Sequence, residues 1–278
     1  KNDGIAGSEG ITAAALLCGI NGVMAADNKV SLKTTDEMTM GFSMSQYDYR
    51  EPNMVLPTGT TTSAISDVKQ SGTMYGVHGE KTWTLEDGDF LRFDANFQGG
   101  KVDYHGSGSM PNQTTRFYEA RLVYGVDDEL GRGVLSTYAG LGYRYLYNDA
   151  RGSVKVGKTT YFGYEREQQY TYLPVGVTYR TMMGAKRLSL NGELGLLLMG
   201  SNHSHSDTFS DTFKQRSGFE ARLAATLSQG SWEVGPYVHY WRVNDSDMNR
   251  VYIGKTLIES YEPKNTTVDV GVKVDRRF

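Results

Sequence analysis

Apolar and polar residues alternate one by one along most of the chain beyond residue 36. The clearest example is the C-terminal segment 268–278, where valine stands at every second position from Val268 to Val274 and Phe278 ends the chain. A period of two is typical of a β-strand with one apolar face and one polar face. The same alternation recurs in nine earlier segments, which cover residues 37–49, 72–85, 90–104, 116–126, 134–148, 170–181, 188–199, 217–227 and 232–243.

The connections between these segments alternate between short and long. Four are tight and rich in Gly and Asp, as hairpin turns are, and cover residues 86–89, 127–133, 184–187 and 228–231. Five are longer and polar, and cover residues 51–71, 105–115, 149–169, 200–213 and 244–264. We therefore predict an all-β fold. It is a single antiparallel up-and-down transmembrane β-barrel of ten strands over 37–278, with both chain ends on the side of the short turns.

The composition of the two strand faces indicates which one points outward, since a soluble barrel would show the same alternation turned inside out. The polar faces carry many glycines, such as Gly41, Gly76, Gly140 and Gly195. Glycine weakens a strand, so this many suit a crowded lumen better than a water-facing surface. The apolar faces end in Tyr and Trp, as at membrane interfaces. The mean hydropathy of −0.47 fits a barrel in which only alternate residues meet lipid.

The first 26 residues have a different character. An apolar run followed by Val23, Met24 and Ala25 resembles a secretory signal with its small-residue cleavage site, and Ala26 offers a second site one residue later. Cys18, the single cysteine, lies inside this run. We predict a signal-peptide-like segment over 1–26, a periplasmic lead-in over 27–36, and a mature protein with no disulfide.

Charged residues of both signs stand on the polar faces. The predicted lumen ionic network consists of Glu80, Arg92, Asp94, Glu119, Arg121, Arg144, Arg180, Glu193, Glu220, Arg222, Asp269 and Lys273. An unpaired buried charge is costly, so a nearly balanced set predicts a packed network that fills the lumen. A ten-stranded barrel is little wider than the eight-stranded barrels that side chains can fill. A narrow polar channel is the alternative.

The chain resembles small Gram-negative outer-membrane barrels of the opacity-protein and porin-like kind. The resemblance rests on the terminal Phe278, the aromatic-rich strand 138–145 and the regular succession of hairpins. The resemblance covers 37–278. It implies a location in the bacterial outer membrane, contact with lipid and lipopolysaccharide, and assembly by the barrel-assembly machinery, with Phe278 as the assembly signal. Cations in the predicted outer loops would suit anionic sugar phosphates; they are Arg151, Lys155, Lys158, Arg166, Arg250 and Lys255.

Ten strands also resemble the omptin proteases, which place an acidic pair near the second outer loop and an Asp/His pair near the fourth. Here Asp103 and His105 precede the second predicted loop, and His203, His205 and Asp207 lie in the fourth. Acidic and imidazole groups are suited to activating water. The pattern departs from the family in two ways, because His105 stands where a second Asp is expected and the His/Asp order in the fourth loop is reversed. Ordinary solvated loop residues are the alternative interpretation.

The function expected from these features is that of a non-enzymatic outer-membrane barrel with long extracellular loops for adhesion or surface recognition of an extracellular ligand. An omptin-like protease and a narrow porin-like channel are the alternatives. No cofactor or metal is predicted, because two histidines in a flexible loop form at best a weak metal site. Nucleic acid is not expected as a partner, because the net charge is −3 and the sequence has no dense basic patch.

Overall fold

The structure is a computed structural model that describes residues 31–52, 67–106, 108–156, 159–206, 210–253 and 256–278. The predicted signal segment with Cys18, the first residues of the predicted lead-in, and Asp207 lie outside the described residues. The strands are β1 Glu37–Glu51, β2 Val68–Thr84, β3 Asp89–His105, β4 Ser109–Leu130, β5 Gly133–Asp149, β6 Ser153–Val156, β7 Thr159–Phe162, β8 Glu165–Met183, β9 Lys186–His205, β10 Ser210–Gln215, β11 Gly218–Gln229, β12 Trp232–Val243, β13 Asn249–Ile253, β14 Thr256–Ser260 and β15 Asn265–Arg277.

The sheet closes on itself as an antiparallel barrel. Each strand pairs with its neighbour in the order β1-β2-β3-β4-β5-β8-β9-β11-β12-β15, and β15 pairs with β1 to complete the ring. The short strand β10 also pairs with β9, so β10 and β11 form one interrupted wall strand. The barrel therefore has ten strands, and the predicted fold class is confirmed. The hairpins β6–β7 and β13–β14 stand apart as small two-stranded sheets within the connections β5–β8 and β12–β15.

Two of the five predicted long loops are wrong. Strand β3 continues to His105 and β4 already begins at Ser109, while β9 extends to His205 and β10 begins at Ser210. The segments 105–115 and 200–213 are therefore mostly strand. Their alternation is lost because both faces are polar there, although the backbone pairing continues. A barrel wall with two polar faces has left the lipid, so the wall rises above the membrane at this end.

The outer surface of the barrel is apolar over its middle. Phe42, Leu194 and Leu223 are 70%, 62% and 65% exposed, and they belong to a continuous belt of outward-facing aliphatic and aromatic side chains on all ten strands. Monomeric proteins in water rarely expose an apolar surface of this extent, so the belt is the surface that contacts lipid. Trp83 and Trp232 lie at its edge near the tight turns. Among the described residues, no helix is long and apolar enough to span a membrane.

The residues before β1 lie at the turn end of the lumen. The backbone N–H and hydroxyl of Thr34 donate to the carboxylate of Asp127 at 2.6 and 3.0 Å. The Arg187 guanidinium donates to the Ser31 carbonyl at 3.1 Å. Asp127 was predicted to lie in a turn, but β4 continues to Leu130 and turns its side chain inward. Residues 31–36 thus contact lumen-facing groups of β4 and β9.

Candidate functional site

Charged side chains from non-neighbouring strands meet in the middle of the lumen. Arg121 of β4 lies 2.7 Å from Asp94 and 2.5 Å from Glu193 of β9. Arg222 of β11 pairs with Glu119 of β4, and its Nη2 lies 2.8 Å from Glu220 Oε2. The network contains the arginines Arg92, Arg121 and Arg222, the carboxylates Glu80, Asp94, Glu119, Glu193 and Glu220, and His239. Charges of opposite sign therefore bridge the lumen at half height.

The remaining predicted lumen residues face inward at other levels. Arg180 lies 3.7 Å from Asp127 near the turn end, and Lys273 lies 3.4 Å from Asp275. Arg144 makes no ion pair among the described residues. Its guanidinium instead lies over the rings of Phe117 and Trp241, at 5.5 and 5.0 Å. Asp269 accepts a hydrogen bond from the Tyr237 hydroxyl at 3.3 Å.

Small residues allow these bulky groups to fill the lumen. A Cβ at Gly142 would collide with the Tyr172 ring, and one at Gly195 would meet the Glu220 side chain. Tyr172 in turn donates from its hydroxyl to Glu119 at 2.7 Å. Glycine on the polar face therefore serves the packing that the sequence pattern predicts for a crowded lumen.

A second bridge crosses the lumen at the extracellular end. Arg166 of β8 donates to Glu51 of β1 at 2.5 Å and to the Tyr49 hydroxyl at 3.0 Å. Strands β1 and β8 lie five places apart in the ten-strand ring, so this contact joins diametrically opposite walls. These two bonds come from Arg166 Nη1. Arg166 Nη2 lies 3.5 Å from Glu262, in the connection before β15, and donates to the Tyr164 hydroxyl at 2.6 Å. The bridge therefore spans this mouth of the barrel along one line.

The bridge places one guanidinium between two buried carboxylates. Glu51 and Glu262 are only 6% and 4% exposed. Burial, together with the negative charge of Glu51, raises the pKa of Glu262 to about 8, although Arg166 acts in the opposite direction. The protonated form of Glu262 therefore predominates at neutral pH, and the three groups carry almost no net charge.

An open pocket of about 550 Å³ lies beside this bridge, on the side of β2 to β8. Its floor and walls are inward-facing residues of the wall strands together with the segment just before β8. They are Val68, Gln70, Tyr104, Gly108, Met110, Asn148, Ala150, Phe162, Gly163, Tyr164 and Arg166. Gln70 and Asn148 are buried and joined by a hydrogen bond of 3.3 Å between their side-chain amides.

The protease candidates do not come together within the part of the chain that the structure describes. Asp103 and His105 lie on the outward face of β3, because the buried Val102 takes the inward face. His203 and His205 lie on the outward face of β9, next to the buried Asn202. Strands β4, β5 and β8 separate the two groups along the outer wall.

Local contacts engage each of these side chains. Asp103 accepts the backbone N–H of Asn112 at 3.0 Å, and the His105 ring lies 3.2 Å from the Ser109 hydroxyl. His203 contacts the Thr212 hydroxyl at 2.8 Å. The remaining candidate, His205, contacts Glu165, with 2.5 Å between its Nε2 and the Glu165 Oε2. Because Asp103 and His105 are separated in this way from His203 and His205, the two groups cannot activate one water molecule together.

Three buried groups of the central network have the composition of a metal site. Ligand atoms of Glu119, Glu220 and His239 lie within 4.8 Å of one another. Arg222 contacts both carboxylates of this group and already supplies their positive charge. A metal ion would have to displace that guanidinium, so the three residues fit an ionic bridge better than a metal centre.

No protein-family model matches the chain, and no curated protein matches its sequence. Among solved structures, the outer-membrane protease OmpT from Escherichia coli is similar over 89% of this chain and 100% of that chain, with a TM-score of 0.57 and 11% identity. The translocator domain of the autotransporter NalP from Neisseria meningitidis matches over 88% of this chain and 90% of that chain, with a TM-score of 0.41 and 12% identity. The transport unit of the autotransporter AIDA-I from Escherichia coli matches over 92% of this chain and 93% of that chain, with a TM-score of 0.41 and 9% identity.

The likeness to OmpT is one of fold, and it agrees with the closed ring and the lipid-facing belt. The protein has the fold of a bacterial outer-membrane β-barrel. The wall of this outer-membrane barrel continues beyond the belt, and its bridged extracellular mouth is where the candidate site lies. At 11% identity, no catalytic property passes from OmpT to this chain.

Some residues of the mouth could have been found in the sequence and others could not. Tyr49 and Glu51 continue the polar face of β1, so the alternation of side chains along that strand places them inward. Arg166 was predicted to be a loop cation for sugar phosphates, but β8 begins at Glu165 and buries it in the bridge. Glu262 lies in an irregular connection, where no periodicity marks an inward side chain.

Proposed function

We propose that the protein is a non-conducting outer-membrane barrel whose extracellular end recognises a ligand or a surface. The observation that carries the proposal is the Arg166 bridge from Glu51 to Glu262, which crosses the full width of the mouth. Together with the central network it crosses the lumen at two levels, and a pocket lies beside it. A barrel of this kind presents a site to the exterior rather than a path through the membrane.

Two alternatives have less support. A narrow channel requires a continuous water path, whereas Arg121 and Arg222 each form charged contacts across the lumen between strands that are not neighbours in the ring. An omptin-like protease requires acidic and imidazole groups in one cleft, whereas Asp103 and His205 lie on separated outward faces. Cleavage of a peptide library by the purified protein, lost in His205→Ala, would favour the protease over our proposal.

Adherence of bacteria that display the barrel tests the proposed function. Cells displaying the full chain should bind mucin, matrix protein or cultured cells more strongly than isogenic cells with an empty vector. Replacing 153–161 by a short Gly-Ser turn removes most of the β6–β7 hairpin beside the pocket, and binding should then fall to the vector level. A matched shortening of the β13–β14 hairpin tests whether any loop truncation has this effect. Equal adherence of the vector cells and the full-chain cells would contradict the proposal.

Lipopolysaccharide is a proposed second partner of the outer wall. Exposed cations face outward above the apolar belt on several adjacent strands; they include Arg50, Lys69, Lys101, Arg116 and Arg242. Such a ring can pair with the phosphates of lipopolysaccharide. Thermal unfolding with and without added lipopolysaccharide tests this. The rise in unfolding temperature caused by lipopolysaccharide should be smaller when Arg50 and Lys69 are changed to Gln. An unchanged rise would contradict the proposal.

A further inference from the structure

Arg166, the charged side chain that lines the extracellular pocket, is already paired with groups of the protein itself. Arg166 is 7% exposed, and Glu51, Glu262, Tyr49 and Tyr164 all contact its guanidinium. An anionic ligand would have to compete with the Glu51 carboxylate, which already pairs with this one cation. A cationic ligand would find Arg166 itself in its way. The electrostatics of the pocket therefore favour a ligand without net charge.

The floor of the pocket offers neutral hydrogen-bonding groups in fixed positions. The Gln70 amide donates to the Asn148 amide oxygen at 3.3 Å, and Asn148 donates to the Thr115 hydroxyl at 2.8 Å. Gln70 and Asn148 are 5% and 3% exposed, so this chain of hydrogen bonds holds both amides in one orientation. Each amide nitrogen carries two N–H groups, and one of them is used in these hydrogen bonds among the described residues. We assign the second N–H group of each amide to a ligand hydroxyl.

The walls of the pocket are aromatic. Tyr104 and Tyr164 line it from β3 and from the residue before β8, and Phe162 stands at its rim with 77% of its surface exposed. Flat apolar rings beside neutral amides suit a ligand that has an apolar face and hydroxyl groups at its edge. A sugar ring has this construction.

We infer that this pocket binds a neutral saccharide, as a single ring or as the end of a glycan. The rings of Phe162 and Tyr164 face the sugar, and the amides of Gln70 and Asn148 bind its hydroxyls. The inference rests on the proposed recognition function and names the class of ligand that this function uses.

The test measures binding of the purified full chain to an array of neutral glycans, sialylated glycans and short peptides. The detergent must be zwitterionic, because the sugar headgroup of an alkyl maltoside would occupy the pocket. Positive glycans are then titrated as free oligosaccharides by calorimetry. The variants are Asn148→Ala in the floor and Phe162→Ala at the exposed rim, and Met248→Ala is the control, since Met248 is exposed but does not line the pocket. Circular dichroism establishes that each variant is folded.

Neutral glycans should bind the full chain, and sialylated glycans should bind more weakly. Loss of one amide hydrogen bond should raise Kd about tenfold in Asn148→Ala, and Phe162→Ala should raise it about fivefold. Met248→Ala should leave Kd unchanged. Equal affinity in all variants would overturn the assignment of this pocket. Binding of sialylated glycans or peptides alone would overturn the ligand class and leave the proposed function standing. Absence of any ligand, together with absence of adherence, would overturn both.

Discussion

Arg222→Met is the substitution that examines the centre of the barrel most sharply. Arg222 pairs with Glu119 and Glu220, and its Nε lies 3.3 Å from Glu193. These three carboxylates are at most 4% exposed. Methionine keeps the length and apolar stem of the side chain and removes only the guanidinium. The variant therefore leaves buried carboxylates with one cation fewer.

The magnitude follows from the burial of the partners. Removing one member of a buried, hydrogen-bonded ion pair costs about 3–5 kcal/mol, because the other charge stays desolvated. With a denaturant slope of about 3 kcal/mol per molar urea, the unfolding midpoint should fall by about 1–1.7 M. Adding Glu119→Gln to the variant removes one orphaned charge and should recover part of this loss.

Urea unfolding in lipid vesicles, followed by tryptophan fluorescence, measures the effect. Trp241 is buried in the lumen, whereas Trp83 and Trp232 face the membrane interface. The matched control is Arg250→Met, because Arg250 forms an exposed ion pair with Glu259 at 2.8 Å. An exposed pair contributes about 0–1 kcal/mol. If Arg222→Met costs no more than the control, water screens the central network and the reasoning about a closed lumen is refuted.

Three further predictions concern the mouth, the packing and the assembly of the barrel. The protonated Glu262 stabilises the bridged mouth fully below its ordinary pKa of 4.5, and this stabilisation is lost as pH rises through about 8. Hydrogen exchange in the connection 261–264, corrected for intrinsic exchange, should therefore accelerate from pH 6 to pH 9, and it should accelerate less in Glu262→Gln. Equal acceleration in the two proteins would contradict this prediction. Gly142→Ala should cost about 1–3 kcal/mol in the same urea assay, since its Cβ would meet the Tyr172 ring, and an unchanged midpoint would show a loosely packed lumen. Deletion of Phe278 should lower the amount of folded barrel in cells while leaving refolding of purified protein nearly unchanged, because the side chain is 66% exposed; equal loss in both assays would assign it a structural role.

The sequence predicts the barrel well because lipid imposes a simple rule on it. Every second residue of the membrane-spanning wall must be apolar, and segments such as 268–274 follow that rule closely. The rule ends where the wall leaves the lipid. Both faces of β4 near Ser109 and of β9 near His205 are polar, so the pattern predicts loops where the structure has strands.

The candidate site is harder to predict because it depends on contacts across the lumen. The alternation of the strands turns Arg121 and Glu193 inward, but it does not reveal that they meet across the lumen from β4 and β9. The bridge of Arg166 to Glu51 joins residues 115 positions apart. Glu262 completes it from an irregular connection. Such contacts depend on the ring order and the stagger of the strands, which a single sequence does not specify.

Planar-bilayer recording tests the central claim most directly. The full chain, reconstituted at neutral pH, should give silent bilayers, because Arg166 and the central network bridge the lumen at separate levels. An Arg166→Met/Arg222→Met double variant serves as the comparison, since it removes one guanidinium from each level. Steady ion conductance through the unmodified protein, with the same unit size in repeated insertions, would contradict the account of a closed barrel that acts at its outer face.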